Sequence, residues 1–199
     1  LVGHSLGGLA ALLWAGASVE DGLAQRCTAG LRSIPVLDSS FLLQCQLTEL
    51  ELPQLKSPSS LDAVMVMNSF GSLLWGENGL ADIAVPVLSI GGSLDLITPP
   101  VTEQLLPFRQ FRDRRSRLAV VEGGSHFSPV GISRDQALMQ LGSDLVGRNP
   151  AQVQQALIQL QVQFLTSIEQ GGIPANGLLF DGDVPTYVLE PAAAAELRT

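Results

Sequence analysis

The chain has 199 residues, 46% of them hydrophobic and 15% charged, so it can bury a large core and is not a disordered polypeptide. A net charge of −8 and an isoelectric point near 4.6 repel phosphate backbones and argue against nucleic acid as a partner. No apolar run reaches the roughly 18 residues a spanning helix needs, so no spanning membrane segment is expected.

Residues 1–3 predict the tail of a strand. Residues 6–17 (LGGLAALLWAGA) predict a helix that is apolar almost all round and therefore buried. Residues 18–61 form a mixed excursion of loop and short helix, with leucines at close spacing and then Pro53 and Pro58. The stretches 61–70 (LDAVMVMNSF) and 85–92 (VPVLSIGG) predict buried strands. In TPPVTEQLLPF, Thr98 suits a helix cap and Pro99 a first turn. Residues 117–124 (RLAVVEGG) predict a third buried strand. A helix is expected over 133–147, and a strongly amphipathic one over 150–168, with Val153, Ala156, Leu157, Leu160, Phe164, Leu165 and Ile168 near one face. Residues 185–190 suit a last strand, and 191–199 a frayed tail. Strands alternating with helices imply an α/β fold, a mostly parallel sheet with helices on both faces, in one domain over residues 1–190.

Cys27 and Cys45 are the only cysteines. Their spacing fits no zinc pattern, and one disulfide or two buried thiols are both compatible with it. The run RQFRDRRSR (109–117) holds five of the ten arginines. It could meet an anionic surface, but such a run is more often a solvated loop before a strand. No metal-binding or cofactor-binding pattern stands out.

The stretch Gly3-His4-Ser5-Leu6-Gly7 fits G-x-S-x-G, with Gly8 following. This pattern suits a sharp turn from strand into helix that holds the serine hydroxyl exposed above the sheet. Glycine is expected two positions either side of Ser5 because a side chain there would collide with neighbouring backbone. The new helix directs its free N–H groups at the serine, and the N–H of Leu6 is the expected oxyanion donor.

A serine hydroxyl needs a base. Of the two histidines, His4 should point away from the serine oxygen. His126 follows a buried strand and a glycine pair, at the strand's C-terminal end, where ligand sites of open α/β sheets lie. The base needs an acid to fix its tautomer. Asp95 follows the preceding strand at the same edge. Asp62 precedes its strand, Asn68 carries no charge, and Asp82 lies in a connection. The order Ser5, Asp95, His126 is that of the α/β-hydrolase triad. Phe127 beside the base, with Phe41 and Leu42, could line an acyl pocket.

GHSLGG, VPVLSIGGSLDLITPP and VVEGGSHFSP together resemble the C-terminal part of an α/β-hydrolase. Within that superfamily they are similar to the dienelactone-hydrolase-like and platelet-activating-factor-acetylhydrolase-like group. The resemblance covers residues 1 to about 130. It implies a serine hydrolase that cleaves small-molecule or lipid esters through an acyl-enzyme, without a cofactor. Dienelactone hydrolases use a cysteine nucleophile, so lactone cleavage does not carry over to Ser5. The resemblance also implies further strands and helices before the serine, with a loop that supplies a second oxyanion N–H. The 199 residues alone are then expected to expose an apolar sheet edge and to hydrolyse esters poorly. The alternative is a non-catalytic or truncated relative that binds a ligand or partner. Acyl preference, oligomeric state and compartment stay open.

Overall fold

A computed structural model describes residues 1–33, 39–49, 60–130, 147–181 and 183–197. Six strands form one mixed sheet: β1 (Val2–His4), β2 (Val64–Met67), β3 (Val87–Gly92), β4 (Arg117–Val121), β5 (Gly177–Asp181) and β6 (Val184–Leu189). Their spatial order is β1-β2-β3-β4-β6-β5. The pairs β1–β2, β2–β3 and β3–β4 are parallel, whereas β4–β6 and β5–β6 are antiparallel. The class is α/β as expected, but the sheet is only partly parallel. The correction comes from the C-terminal strands, which fold back as a hairpin. Only two residues separate β5 from β6 in the chain, too few for the crossover that parallel strands require.

β2 reads VMVM, and its alternation decides how the sheet is covered. Val64 and Val66 enter one core with Val87 and Leu118, and Met65 and Met67 enter another with Leu88, Ile90, Ala119 and Val121. The first core is closed by α1 (Leu6–Trp14), the one-turn α4 (Ser72–Trp75), a π-helical turn (Pro100–Leu105) that runs into α5 (Leu106–Phe108), and the last helix. The second is closed by the 20-residue helix Pro150–Glu169. Val153, Ala156, Leu157, Leu160 and Phe164 of that helix are buried, as the sequence pattern anticipated. Leu165 is exposed.

Residues 191–196 are helical (Pro191–Glu196), not frayed. Ala194 is fully buried in the first core, and the Arg109 guanidinium donates to the Ala194 carbonyl at 3.0 Å. The arginine run is likewise not a solvated loop throughout. Arg117 starts β4 and is 2% exposed. Its N–H groups donate to the carbonyls of Pro174, Ala175, Arg114 and Ser116. Burial pushes the guanidinium below its ordinary pKa. These backbone acceptors explain how a cation sits inside: they give the guanidinium N–H groups partners that replace water.

The excursion after α1 contains two helices, α2 (Leu23–Ser33) and α3 (Ser39–Gln46). Cys27 on α2 and Cys45 on α3 form a disulfide with Cα atoms 5.7 Å apart. Phe41 is buried beside Cys27 and Leu73 in a small core beneath this bridge. The helix expected over 133–147 falls almost wholly outside the described residues. No helix among the described residues is long and apolar enough to cross a membrane.

The disulfide closes a loop of 18 residues, which in the chain-entropy account is worth about 3 kcal/mol. A Cys27→Ala/Cys45→Ala double variant is therefore expected to unfold roughly 6–12 °C lower than the parent. Scanning calorimetry of both proteins under identical buffer checks this.

Candidate functional site

Four parallel strands end at one rim of the sheet, and each is followed by a polar residue: Ser5 after β1, Asn68 after β2, Asp95 after β3 and His126 after β4. Parallel register puts these ends side by side. Gly3 pairs with Val66, Val66 with Ser89, and Ser89 with Leu118.

Ser5 sits at the turn from β1 into α1 with φ 53 and ψ −121, a conformation that non-glycine residues avoid at a cost of order 1–3 kcal/mol. Its N–H still bonds the Met67 carbonyl at 2.9 Å, which extends the β1–β2 ladder by one residue. Its carbonyl accepts from Gly8 and Leu9, the first bonds of α1. The turn is thus held from both sides. Leu6 is the first helical residue, and first-turn N–H groups lack intrahelical acceptors.

The glycines of the motif have different reasons. A Cβ at Gly3 would overlap the Gly7 carbonyl oxygen, and one at Gly8 would stand 2.6 Å from Ser69 Cβ. At Gly7 a Cβ would meet nothing within 4 Å. The expected collision two residues after the serine is therefore wrong. The close contact belongs to the next residue, whose helical direction turns it toward the loop after β2.

His126 bridges the serine and the aspartate. Its Nε2 is 2.9 Å from Ser5 Oγ, and its Nδ1 is 3.0 Å from Asp95 Oδ2. Asp95 and His126 are buried, and Ser5 is partly exposed. Asp95 Oδ1 accepts from the N–H groups of Ile97 (2.9 Å) and Thr98 (2.8 Å), and Oδ2 accepts from the Thr98 hydroxyl (2.7 Å). Thr98 is therefore no helix cap. Its hydroxyl faces the carboxylate, and the helical turn that follows has no side-chain cap bond.

Two residues that the sequence reading gave no active part brace the histidine. Asn68, with φ 46, donates through Nδ2 to the carbonyls of Ser125 (2.9 Å) and His126 (3.0 Å), while its Oδ1 accepts from Gly92 N–H (3.1 Å). His4 Nε2 lies 2.7 Å from the His126 carbonyl, so it must carry the proton. The His4 ring faces the histidine loop, 5.0 Å from the ring of His126. Burial pushes the His4 pKa down, and the bond to the carbonyl opposes that shift. A polar residue at the end of a buried strand was the available signal for Asn68.

Phe127 packs edge-on against His126 at 5.3 Å. Phe41 lies in the core under the disulfide, where α3 turns it toward Gly30 and Leu73. Leu42 is exposed. α3 nevertheless reaches the Asp95 loop through Ser39, whose hydroxyl donates to the Ile97 carbonyl at 3.2 Å.

No protein-family model matches the chain, and no curated protein matches it.

An alanine at Gly8 must displace Ser69, so Gly8→Ala is expected to cost about 1–3 kcal/mol. Gly7→Ala is expected to be neutral or to stabilise α1 by up to ~1 kcal/mol. Urea unfolding of both variants tests this contrast. The depressed pKa of His4 makes its protonation unfavourable in the folded state. Stability is therefore expected to fall as pH drops below roughly 6.5, the ordinary histidine value. His4→Gln, which keeps a donor but does not titrate, should flatten that part of the profile of urea midpoint against pH.

Proposed function

We propose that this protein is a serine hydrolase of carboxylic esters belonging to the α/β-hydrolase superfamily. One observation carries the reading. A continuous hydrogen-bonded line runs from Ser5 Oγ through both nitrogens of His126 to Asp95 Oδ2, with links of 2.9 and 3.0 Å. The strained backbone of Ser5 supports it, as does the order of the three residues along the chain.

Ser5 Oγ attacks the ester carbonyl carbon while its proton passes to His126 Nε2. Asp95, already fixed by its loop, stabilises the imidazolium through Nδ1–H. The Leu6 N–H is the oxyanion donor within this chain. The carbonyl re-forms as the alkoxide leaves and takes the proton from Nε2, which leaves an acyl-serine. Water then adds to the acyl carbon and gives its proton to Nε2. Ser5 departs, recovers that proton, and the acid is released.

The motifs carry the finer proposal: the dienelactone-hydrolase-like and platelet-activating-factor-acetylhydrolase-like group, acting on small-molecule or lipid esters.

A fluorophosphonate probe is expected to label Ser5, as read by mass spectrometry of the modified peptide. Ser5→Ala should abolish labelling, and His126→Ala should slow it by ~10²–10⁴-fold. A folded protein that takes no label, or a label that persists in Ser5→Ala, overturns the reading and favours a non-catalytic binding role.

A further inference from the structure

We propose that Thr98 is a positioning residue that sets how firmly Asp95 holds the His126 imidazolium; this rests on the serine-hydrolase reading above. Thr98 is fully buried, and its Oγ1 is surrounded by three polar atoms. Asp95 Oδ2 is at 2.7 Å, the Asn68 carbonyl at 3.1 Å, and His126 Nδ1 at 3.2 Å. A hydroxyl has one proton to give. The nearer, charged acceptor takes it, because bonds to a carboxylate are shorter and stronger than bonds to a neutral carbonyl. The lone pairs of Oγ1 then face Nδ1–H, which is shared between Asp95 Oδ2 at 3.0 Å and Thr98 Oγ1 at 3.2 Å.

Two consequences follow for the imidazole. Two acceptors on one side hold the proton on Nδ1 and leave Nε2 free to accept from Ser5. In addition, the hydroxyl withdraws charge from Oδ2, the oxygen that must stabilise the imidazolium, since Oδ1 is already taken by the Ile97 and Thr98 N–H groups. A carboxylate relieved of that bond would hold the imidazolium more strongly and keep the base protonated to higher pH. Thr98 thus keeps His126 available as a neutral base. Among the described residues, the titratable groups facing His126 are Asp95, from the turn after β3, and His4, from the end of β1. Neither is itself substituted when the Thr98 hydroxyl is removed, and of the two only Asp95 loses a hydrogen bond to it.

Thr98→Val removes the hydroxyl but keeps the shape and the Thr98 N–H bond to Asp95. Thr98→Ser keeps the hydroxyl. With p-nitrophenyl acetate, Thr98→Val is expected to lower kcat/KM by ~10-fold, through kcat, with KM little changed. The acid limb of its pH profile should move upward by about 0.5–1 unit. Thr98→Ser should restore both. An unmoved limb in Thr98→Val, or a limb that Thr98→Ser fails to restore, overturns the proposal. The chain has two histidines, so ¹³C labelling gives two imidazole signals, which His4→Gln assigns. The His126 titration midpoint should rise in Thr98→Val, and an unchanged midpoint also overturns the proposal. If Thr98→Val does not fold, the titration is read in Thr98→Ala. A protein with no esterase activity refutes the hydrolase reading but leaves the titration to decide the role of Thr98.

Discussion

The site depends on one asparagine at the end of β2. Asn68 adopts a left-handed backbone conformation, which asparagine tolerates better than most residues. That twist turns its side chain across the rim of the sheet. One amide then holds Gly92 at the end of β3 and two carbonyls of the loop after β4. Its own N–H bonds the Ile90 carbonyl, and its own carbonyl lies 3.1 Å from the Thr98 hydroxyl oxygen. The three loops that follow β2, β3 and β4 are thereby tied through a single side chain and its backbone. Gly92 makes this closure possible, because a Cβ there would overlap the Gly124 carbonyl.

The strain at Ser5 is set against the same framework. A positive φ at a serine persists only where the surroundings over-determine it. Here the Met67 carbonyl fixes the residue from the sheet side, and Gly8 and Leu9 fix it from the helix side. Gly3 and Gly8 then let strand, helix and the loop after β2 approach without a Cβ between them. The excursion through α2 and α3 joins from the other direction. Its disulfide holds α3, and α3 offers Ser39, Ser40 and Gln44 to the segment 97–103.

Much of this rim was legible in the sequence, for a local reason. Ser5, Asp95 and His126 each follow a buried apolar strand closely, and glycines mark the turns. The structure brings all three together. The features that were not legible depend on partners far along the chain. Thr98 before two prolines satisfies the local rule for a helix cap, yet its hydroxyl goes to Asp95. Asn68 was set aside because it has no charge, but its work is done on backbone carbonyls 57 and 58 residues away. Arg117 looked like one more solvated cation, because nothing nearby announces the carbonyls at 174 and 175. The β5–β6 hairpin is different. Asp181-Gly182 between two apolar stretches is a strong hairpin signal, and it was available. The spacing of Cys27 and Cys45 decides nothing by itself, since pairing depends on how α2 and α3 pack.

Two buried carboxylates separate structure from chemistry in this molecule. Glu103 is 3% exposed and accepts five bonds, from the hydroxyls of Ser40 and Ser72, the amide of Gln44, and the N–H groups of Gly71 and Ser72. Burial pushes its pKa up. All five donors are neutral groups that do not titrate in the physiological range, so this carboxylate ties α3, α4 and the π-helical turn together without passing a proton onward. Asp95 is as buried and accepts four bonds to the five of Glu103, three of them from groups of the same neutral kind. The fourth comes from an imidazole whose other nitrogen reaches a partly exposed hydroxyl. Burial and the number of hydrogen bonds do not distinguish the two acids. The difference is one donor with a second nitrogen, which connects a buried carboxylate to a partly exposed hydroxyl.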